Sequence, residues 1–315
     1  MIRVTGLTKH YGTVKAVKSI NFEIQDGEIV GFLGANGAGK TTTLKMITGY
    51  LVPTAGTVEV NDLNIQDHTL EVQKQVGYLP ELNPLYAEMR VYDYLEFIAS
   101  IRGILGKDFR NALIRVVEQC GLKGVVHRVI GNCSKGYRQR IGVASAMIHD
   151  PSILILDEPV TGLDPNQIVE IRSLIKELGR EKLVLMSSHI LQEIQATVDR
   201  IMIIHEGEIV ANGTSEELMS NFMGNVLLNL EVREANKKTI EALPTAISGI
   251  SLLKADELNG LWNIQCEYSK ERDPREELFH YAVDNHWIIL KMTPKTTNLE
   301  DIFRTLTTGT GGAHA

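Results

Sequence analysis

The sequence predicts an α/β protein with a mostly parallel sheet, an all-helical insertion and a smaller α+β domain towards the C-terminal end. Three observations support this prediction. Short apolar runs alternate with helical patterns up to about residue 220, this alternation stops between residues 82 and 150, and the pattern changes again after residue 220. A chain of 315 residues has room for two domains of ordinary size.

Four apolar segments are the predicted core strands. They are residues 28–34, 152–159, 182–189 and 200–209, and each is typical of a strand that is buried on both faces. Between the second and third segments, PNQIVEIRSLIKELG repeats its apolar residues at helical spacing. A strand, helix, strand order predicts a parallel sheet, because the helix returns the chain to the edge where the strand began.

The other two regions predict different structures. Residues 82–150 contain two helical patterns with no strand between them, which indicates an all-helical insertion. After residue 220, the order strand, helix, strand, strand, helix, strand, followed by the helix LEDIFRTLT, predicts a ferredoxin-like sandwich. We therefore expect domains at 1–222 and 223–306, and a disordered tail at 307–315.

Composition excludes several classes of protein. The net charge of −7 disfavours nucleic acid and anionic membrane surfaces as the main partner. The three cysteines lack the spacing of a disulfide framework or a zinc site, so we expect reduced thiols. The start lacks the pattern of a signal peptide, and no apolar run approaches the roughly 18 residues of a membrane span. These features predict a cytoplasmic protein that does not insert into the membrane directly.

GANGAGKT, residues 34–41, matches the phosphate-binding pattern GxxxxGK[ST] in full and lies between a buried strand and a helix. Its glycines let backbone N–H groups face a phosphate, and the helix N-terminus adds partial positive charge. Lys40 is expected to reach the β and γ phosphates, and Thr41 to hold Mg²⁺. The predicted nucleotide contacts are Gly34, Ala35, Asn36, Gly37, Ala38, Gly39, Lys40, Thr41 and Thr42.

SILILDEP, residues 152–159, supplies two carboxylates at the carboxyl end of a predicted core strand, where ligands bind in open α/β sheets. We expect Asp157 to hold Mg²⁺ directly or through water, and Glu158 to polarise an attacking water. The alternative is an acidic strand end that caps the next helix. Loss of Asp157 should weaken metal binding, whereas loss of Glu158 should spare binding and stop hydrolysis.

GANGAGKT, ILILDEP and the CSKGY that precedes ILILDEP by some twenty residues together resemble the nucleotide-binding subunit of an ABC transporter, a P-loop NTPase. The resemblance covers residues 1 to about 220 and implies ATP and Mg²⁺ as ligands. It implies that Tyr11 stacks on adenine, that Asp164 in TGLDP contacts nucleotide, and that His189 contacts the γ-phosphate. The alternatives are a surface aromatic for Tyr11 and a structural histidine for His189.

CSKGYRQR, residues 133–140, is a second glycine motif about a hundred residues after the first. In the family that this chain resembles, it serves the nucleotide bound by a second cassette. Ser134 has the chemistry of a helix N-cap, apolar residues follow at helical spacing, and Gly136 would allow a phosphate to approach. The alternative is that Ser134 only caps its own helix, but Tyr137 stands where a capping box has Glu or Gln, so capping does not explain the motif by itself.

Two positions depart from the family pattern. Cys133 stands where the signature usually has leucine, and as a small hydrophobe it is expected to pack rather than react. Glu81 stands where many cassettes have glutamine, and its carboxylate could ligate Mg²⁺ while adding charge near the γ-phosphate. The Glu81 replacement and the SKGYRQR form, together with the C-terminal domain that ends in LEDIFRTLT, resemble cassettes of the gliding-motility, sodium-efflux and drug-efflux exporters.

The resemblance implies ATP hydrolysis by a dimer of cassettes, identical or different, coupled to export through separate permease subunits at the cytoplasmic face of the cell membrane. The permease would dock near residues 81–94. One alternative is a soluble ABC ATPase that acts on ribosomes or DNA, although such proteins usually have two cassettes or a long coiled coil. Another is a nucleotide sensor without turnover, although Glu158, His189 and Ser134 are present. The C-terminal domain could extend the dimer or bind a small regulator.

Overall fold

The computed structural model describes residues 1–222, 225–269, 272–295 and 299–308, and the chain divides into two units, Met1–Ser215 and Glu216–Ala315. The strands are β1 Ile2–Tyr11, β2 Val14–Ile24, β3 Ile29–Leu33, β4 Ala55–Val60, β5 Leu63–Asn64, β6 Val76–Leu79, β7 Ile153–Leu156, β8 Leu183–Ser188, β9 Arg200–His205, β10 Glu208–Gly213, β11 Asn225–Arg233, β12 Ile250–Leu258, β13 Leu261–Ser269 and β14 Ile288–Lys295. The helices are α1 Lys40–Ile47, α2 Thr69–Gln75, α3 Val91–Ile101, α4 Gly106–Gln119, α5 Lys135–Met147, α6 Pro165–Gly179, α7 Leu191–Gln195, α8 Ser215–Phe222, α9 Lys237–Glu241, α10 Leu243–Ala246, α11 Arg275–Asp284 and α12 Leu299–Thr308.

The first unit is built on a six-stranded sheet in the order β10-β9-β3-β8-β7-β6. All its neighbouring strands run parallel except β10, which is antiparallel to β9. Every residue of β3, β7 and β8 is buried, as expected for strands covered on both faces. The mostly parallel sheet predicted from the sequence is therefore confirmed.

The prediction of one strand over residues 200–209 is wrong. The chain ends β9 at His205, turns through Glu206 and Gly207, and returns antiparallel as β10. Both turn residues have positive φ, 47° and 83°, the conformation of a tight two-residue hairpin turn. The sequence pattern predicted a single strand because apolar residues occur on both sides of this Glu-Gly pair.

A second, antiparallel sheet has the order β2-β1-β4-β5, and the sequence analysis did not single it out. Its strands alternate between buried and more exposed residues, which is typical of a sheet with one face on the core. Buried residues of this sheet share one hydrophobic core with α1 and with the main sheet, including Val4, Phe22, Leu44 and Ile155. The core fixes α1, and with it the loop before α1, between the two sheets.

The predicted helical insertion is formed by α3, α4 and α5, which lie in sequence between β6 and β7. In this stretch, all of which the structure describes, strand pairing is limited to one bridge, between Arg90 and Val129. None of the helices within the described parts of the chain combines the length and apolarity that crossing a bilayer requires.

The second unit contains an antiparallel sheet in the order β12-β13-β11-β14. With α9 and α10 after β11 and with α11 between β13 and β14, this is the predicted ferredoxin-like arrangement. The trailing helix α12 ends at Thr308, so the first two residues of the expected tail, 307 and 308, are helical. The rest of that expected tail, 309–315, lies outside the described residues.

Candidate functional site

The loop of residues 34–39 connects β3 to α1 and is enclosed by backbone. A Cβ on Gly34 would lie 2.5 Å from the carbonyl oxygen of Ile204, and one on Gly39, where φ is 109°, would lie 2.5 Å from that of Ala16. The turn between β9 and β10 also contacts the loop, since the N–H of Gly207 donates to the carbonyl of Ala38 at 3.0 Å. These positions require glycine because side chains would clash with fixed backbone.

Lys40 is the first residue of α1 and is 6% exposed. Its Nζ donates to the carbonyl of Gly34 at 2.7 Å and to that of Ala35 at 3.3 Å, and it lies 3.3 Å from Oε1 of Glu158. Glu158 is 5% exposed, so the two charges form a buried ion pair. The pairing brings the phosphate loop and the end of β7 together, as the sequence predicted for a single site.

Asp157 directly follows β7 and is fully buried. Its Oδ1 accepts a hydrogen bond from the hydroxyl of Ser187 at 2.6 Å, and the same hydroxyl oxygen accepts from the N–H of Glu158 at 2.9 Å. Its Oδ2 is buried without a hydrogen-bond partner among the described residues. A buried carboxylate oxygen without a partner is costly, and a hard cation or a water bound to one is the kind of group that would satisfy it.

Glu158 has a φ of 51°, in the left-handed region that few residues other than glycine adopt. Its Oε2 accepts a hydrogen bond from the hydroxyl of Thr161 at 2.8 Å and lies 2.8 Å from Nδ1 of His189. Burial by itself would raise the pKa of Glu158, but the Thr161 and His189 hydrogen bonds and the charge of Lys40 outweigh it and lower that pKa. The carboxylate is therefore ionised and held by three groups.

A cavity of about 340 Å³ opens in front of this cluster. It is lined by Ala16, Asn36, Gly37, Gly39, Lys40, Thr41, Thr42, Glu81 and Glu158. Glu81 is exposed two residues after the end of β6, and Thr41 and Glu81 face one cavity with Lys40 and Glu158. Within the described residues no group of three His, Cys, Asp or Glu side chains converges on a metal position, so a cation here would also need hydroxyl, phosphate or water oxygens.

Tyr11 lies away from this cluster, at the end of β1. Its side chain is 49% exposed and does not line the cavity, and Nζ of Lys9 lies 5.5 Å from the centre of its ring. An exposed ring with a cation on it is a surface on which a flat base can stack.

The second glycine motif begins α5. Ser134 is the N-cap, and its Oγ accepts a hydrogen bond from the N–H of Tyr137 at 3.3 Å. The Ser134 side chain is exposed, whereas Gly136 is buried, with Gln167 so near that a Cβ on Gly136 would lie 2.7 Å from Cδ of that side chain. Capping therefore occurs through one long hydrogen bond, which leaves the Ser134 hydroxyl free to donate elsewhere.

Asp164 caps the next helix, α6, where its Oδ1 accepts from the N–H of Gln167 at 3.0 Å. Pro165 follows at the first helical position, where it is favoured. Asp164 thus has a local structural role, and α6 and the Ser134 motif are neighbours through Gln167.

The three cysteines are buried free thiols. Cys133 is 5% exposed, with its Sγ 3.6 Å from the carbonyl of Val129, which agrees with the expectation of packing. Burial raises the pKa of Cys120 to about 12 and that of Cys266 to about 11, so these two thiols are unreactive at neutral pH.

Sequence reasoning missed Thr161 and Ser187, the hydroxyls that hold Glu158 and Asp157. Thr161 is three residues after Glu158 in EPVTG, and Ser187 is the last residue but one of β8, two residues before His189. Both lie beside residues that the sequence did single out, so a search for hydroxyls at the carboxyl ends of the strands could have found them.

The fold and the site define a P-loop NTPase, because a glycine loop, its lysine and an acidic strand end converge at one edge of a parallel sheet. Residues 17–161 match the family described as ABC transporter. The bacitracin transport ATP-binding protein BcrA of Bacillus licheniformis is 38% identical over 76% of this chain and 78% of that protein. The linearmycin resistance ATP-binding protein LnrL of Bacillus subtilis (strain 168) is 30% identical over 98% of both chains.

Among solved structures, one titled "Structure of ATP binding subunit of ABC transporter" superposes with a TM-score of 0.63 at 28% identity, over 70% of this chain and 93% of that chain. This chain belongs to the ATP-binding proteins of ABC transporters. It is an ATPase of that family.

Proposed function

We propose that the chain hydrolyses Mg²⁺-ATP at a site shared by two cassettes and that hydrolysis drives export through separate permease subunits. The observation that carries this proposal is the buried cluster in which Glu158 contacts Lys40, Thr161 and His189 beside the phosphate loop. A carboxylate held in this way has the position and charge of a general base for an attacking water.

The Lys40 and Glu158 charges, 3.3 Å apart, neutralise each other. On ATP binding, Lys40 would exchange its bonds with Glu158 and with the Gly34 carbonyl for the β and γ phosphates. Glu158 would then keep its contacts with Thr161 and His189 and gain a free oxygen, Oε1, for water. The same binding event thus neutralises the phosphates and releases the base.

Mg²⁺ fits the donor set of Thr41, Asp157 and Glu81, all of them oxygen donors, and the unpartnered Oδ2 of Asp157 supports this assignment. When bound, it would neutralise charge on the phosphates. Ser187 fixes the Asp157 carboxylate through Oδ1, which leaves Oδ2 oriented for the metal or for a water bound to it.

The hydrolytic step requires a proton acceptor, and Glu158 is proposed to take the proton from the attacking water. Its lowered pKa keeps it ionised at neutral pH. His189, 2.8 Å from Oε2 of Glu158, would orient that carboxylate and contact the γ-phosphate through its other ring nitrogen. Charge that develops on the phosphoryl oxygens would be stabilised by Lys40 and by the loop N–H groups.

The second part of the site would come from another cassette. Ser134 is exposed at the N-terminus of α5, a 13-residue helix whose positive end favours an anion. Asp164 lies at the start of the neighbouring helix and would contact the same nucleotide, and Tyr11 would stack on adenine in its own chain. The partner cassette could be a copy of this chain or a different one.

The permease is proposed to dock on the loop between β6 and α3 and on the adjoining helix. Leu82 and Tyr86 are 86% and 54% exposed, and on the same insertion Ile101 and Leu105 are 67% and 64% exposed. Nδ2 of Asn83 donates to the Arg138 carbonyl of α5 at 3.1 Å, which connects this loop to the helix that Ser134 caps. Exposed apolar residues clustered on one insertion are typical of an interaction surface.

The relatives named for bacitracin transport and linearmycin resistance support export as the direction. A chain of this kind would work at the cytoplasmic face of the cell membrane, held there by its permease. An adjacent reading frame that encodes about six membrane spans would support this location.

The proposal of a shared site is tested by mixing two inactive variants, Lys40→Ala and Ser134→Arg. Each alone should lose ATPase activity, and the mixture should regain part of it, because in a mixed dimer one of the two shared sites has both an intact Lys40 and an intact Ser134. Ser173→Arg, another exposed serine on a neighbouring helix, is the matched control and should stay active. Failure of the mixture to recover any activity would contradict the arrangement.

A further inference from the structure

Tyr78 lies on β6, three residues before Glu81. Its hydroxyl oxygen is buried and has no hydrogen-bond partner in the part of the chain that the structure describes. The ring packs against the core beneath α1 and lies 5.5 Å, between ring centres, from that of Tyr50. A buried hydroxyl without a partner lowers stability and therefore needs an explanation.

The register of the main sheet places this hydroxyl on the same face as Asp157. Tyr78 is opposite Ile155, and Ile155 is opposite Leu185, so these three side chains share the face of the sheet that packs against α1. Two residues further along their strands, Asp157 and Ser187 point to that face, and their 2.6 Å hydrogen bond agrees with this.

Asp157 contributes the second unpartnered atom of this region. Its Oδ2 is an acceptor, the Tyr78 hydroxyl can donate, and both are buried without partners among the described residues. Burial raises the pKa of Tyr78, and the charge of Asp157 is the next largest cause, so the hydroxyl keeps its proton and lies within electrostatic reach of that carboxylate.

We propose that Tyr78 is a positioning residue for the metal: its hydroxyl and Oδ2 of Asp157 together hold one water, which is a ligand of the Mg²⁺ that accompanies ATP. This inference rests on the proposed metal site. A water accepts one hydrogen bond from the tyrosine and donates one to the carboxylate, and its remaining lone pair binds the cation. Tyr78 would thereby fix the metal through Asp157 without contacting nucleotide.

The test uses Mn²⁺ as the probe, bound to the full chain in the presence of a non-hydrolysable ATP analogue and followed by electron paramagnetic resonance. Tyr78→Phe should weaken Mn²⁺ binding by about tenfold or more, the usual effect of losing an outer-shell partner. Without nucleotide, the same variant should unfold at the same or a higher temperature, because its hydroxyl has no protein partner to lose. Tyr50→Phe, which changes the exposed ring that lies tilted against Tyr78, should change neither property.

Asp157→Asn separates failure of this inference from failure of the metal site. If Asp157→Asn weakens Mn²⁺ binding and Tyr78→Phe does not, the metal site stands and the role of Tyr78 is overturned. If neither variant affects Mn²⁺, the metal site itself fails. A lower unfolding temperature of Tyr78→Phe with unchanged Mn²⁺ affinity, or an equal loss of affinity in Tyr50→Phe, would assign Tyr78 a structural role and overturn the proposal.

Discussion

The two glycine motifs of this chain differ in how completely each is satisfied by its own molecule. At the first, Lys40 is buried, and its charge is paired with the buried carboxylate of Glu158 at 3.3 Å. At the second, Ser134 is exposed and its Oγ makes one long hydrogen bond to its own helix. The difference indicates that the first motif is held by contacts within its own chain, whereas the second, under the proposed shared site, would take its remaining contacts from another cassette.

The largest effect is expected at the buried motif. Glu158→Gln should lower turnover at least about a hundredfold, the low end for loss of a general base. ATP affinity should be retained or increased, because Lys40 no longer has to break an ion pair with residue 158 before it binds the phosphates. Steady-state ATPase assays and nucleotide titration measure the two quantities.

Glu181→Gln is the control for this change, since Glu181 is exposed after α6 and away from the cavity. Turnover of Glu158→Gln close to that of the unmodified chain would remove Glu158 from the role of base. A large loss of ATP affinity would instead show that the ion pair with Lys40 builds the site.

Substitutions in the phosphate loop, residues 34–39, are expected to have the next largest effect. Gly39→Ala places a Cβ 2.5 Å from the Ala16 carbonyl, whereas Gly37→Ala, also at positive φ, places one in open space. Gly39→Ala should therefore lower the free energy of unfolding by about 1–3 kcal/mol more than Gly37→Ala does, and should weaken ATP binding. Urea unfolding and nucleotide titration check this. Equal effects of the two changes would mean that the backbone around residue 39 shifts to accommodate the added Cβ, which would contradict the prediction.

Thr161→Val tests how Glu158 is kept ionised. The Thr161 hydrogen bond lowers the pKa of Glu158, so its loss should raise that pKa and move the acidic limb of the ATPase pH profile to higher pH. The sign follows because a base with a higher pKa becomes protonated at a higher pH. Thr161→Ser keeps the hydroxyl and should keep the profile, and an unshifted limb in Thr161→Val would contradict the role of the hydrogen bond.

The smallest effect is expected at the start of the second motif. Cys133→Ala removes a buried thiol that packs near the Val129 carbonyl, so ATPase activity of the folded chain should stay within a few-fold. Stability should fall modestly, because little volume is lost. Loss of activity without loss of stability would give Cys133 a part in the chemistry after all.

The sequence predicted those parts of the site that are continuous in the chain. GANGAGKT directly follows one core strand and SILILDEP contains the end of another, so their placement at one edge of a parallel sheet follows from local pattern. The pairing of Lys40 with Glu158 joins residues far apart in sequence, and the hydroxyls of Thr161 and Ser187 act through side-chain geometry. Such contacts depend on tertiary packing, which periodicity does not specify.

The fold was predicted least well where a short turn interrupts an apolar run. Residues 200–209 read as one strand because the Glu206–Gly207 turn is flanked by apolar residues on both sides. The antiparallel sheet of β1, β2, β4 and β5 was not singled out because its half-buried strands mix polar and apolar residues, a weaker signal than the continuous runs of the core.

The turn between β9 and β10 allows the order of the phosphate loop to be measured by hydrogen exchange. The N–H of Gly207 bonds to the carbonyl of Ala38 in the loop, and its carbonyl accepts from the N–H of Lys18 on β2 at 2.8 Å. The exchange rate of the Gly207 amide hydrogen with deuterium therefore reports how often the loop separates from this turn. Gly207 has no predicted contact with ATP, yet the exchange rate of its amide reports the order of the phosphate loop. The rate can be measured without nucleotide, with bound nucleotide and during ATP hydrolysis.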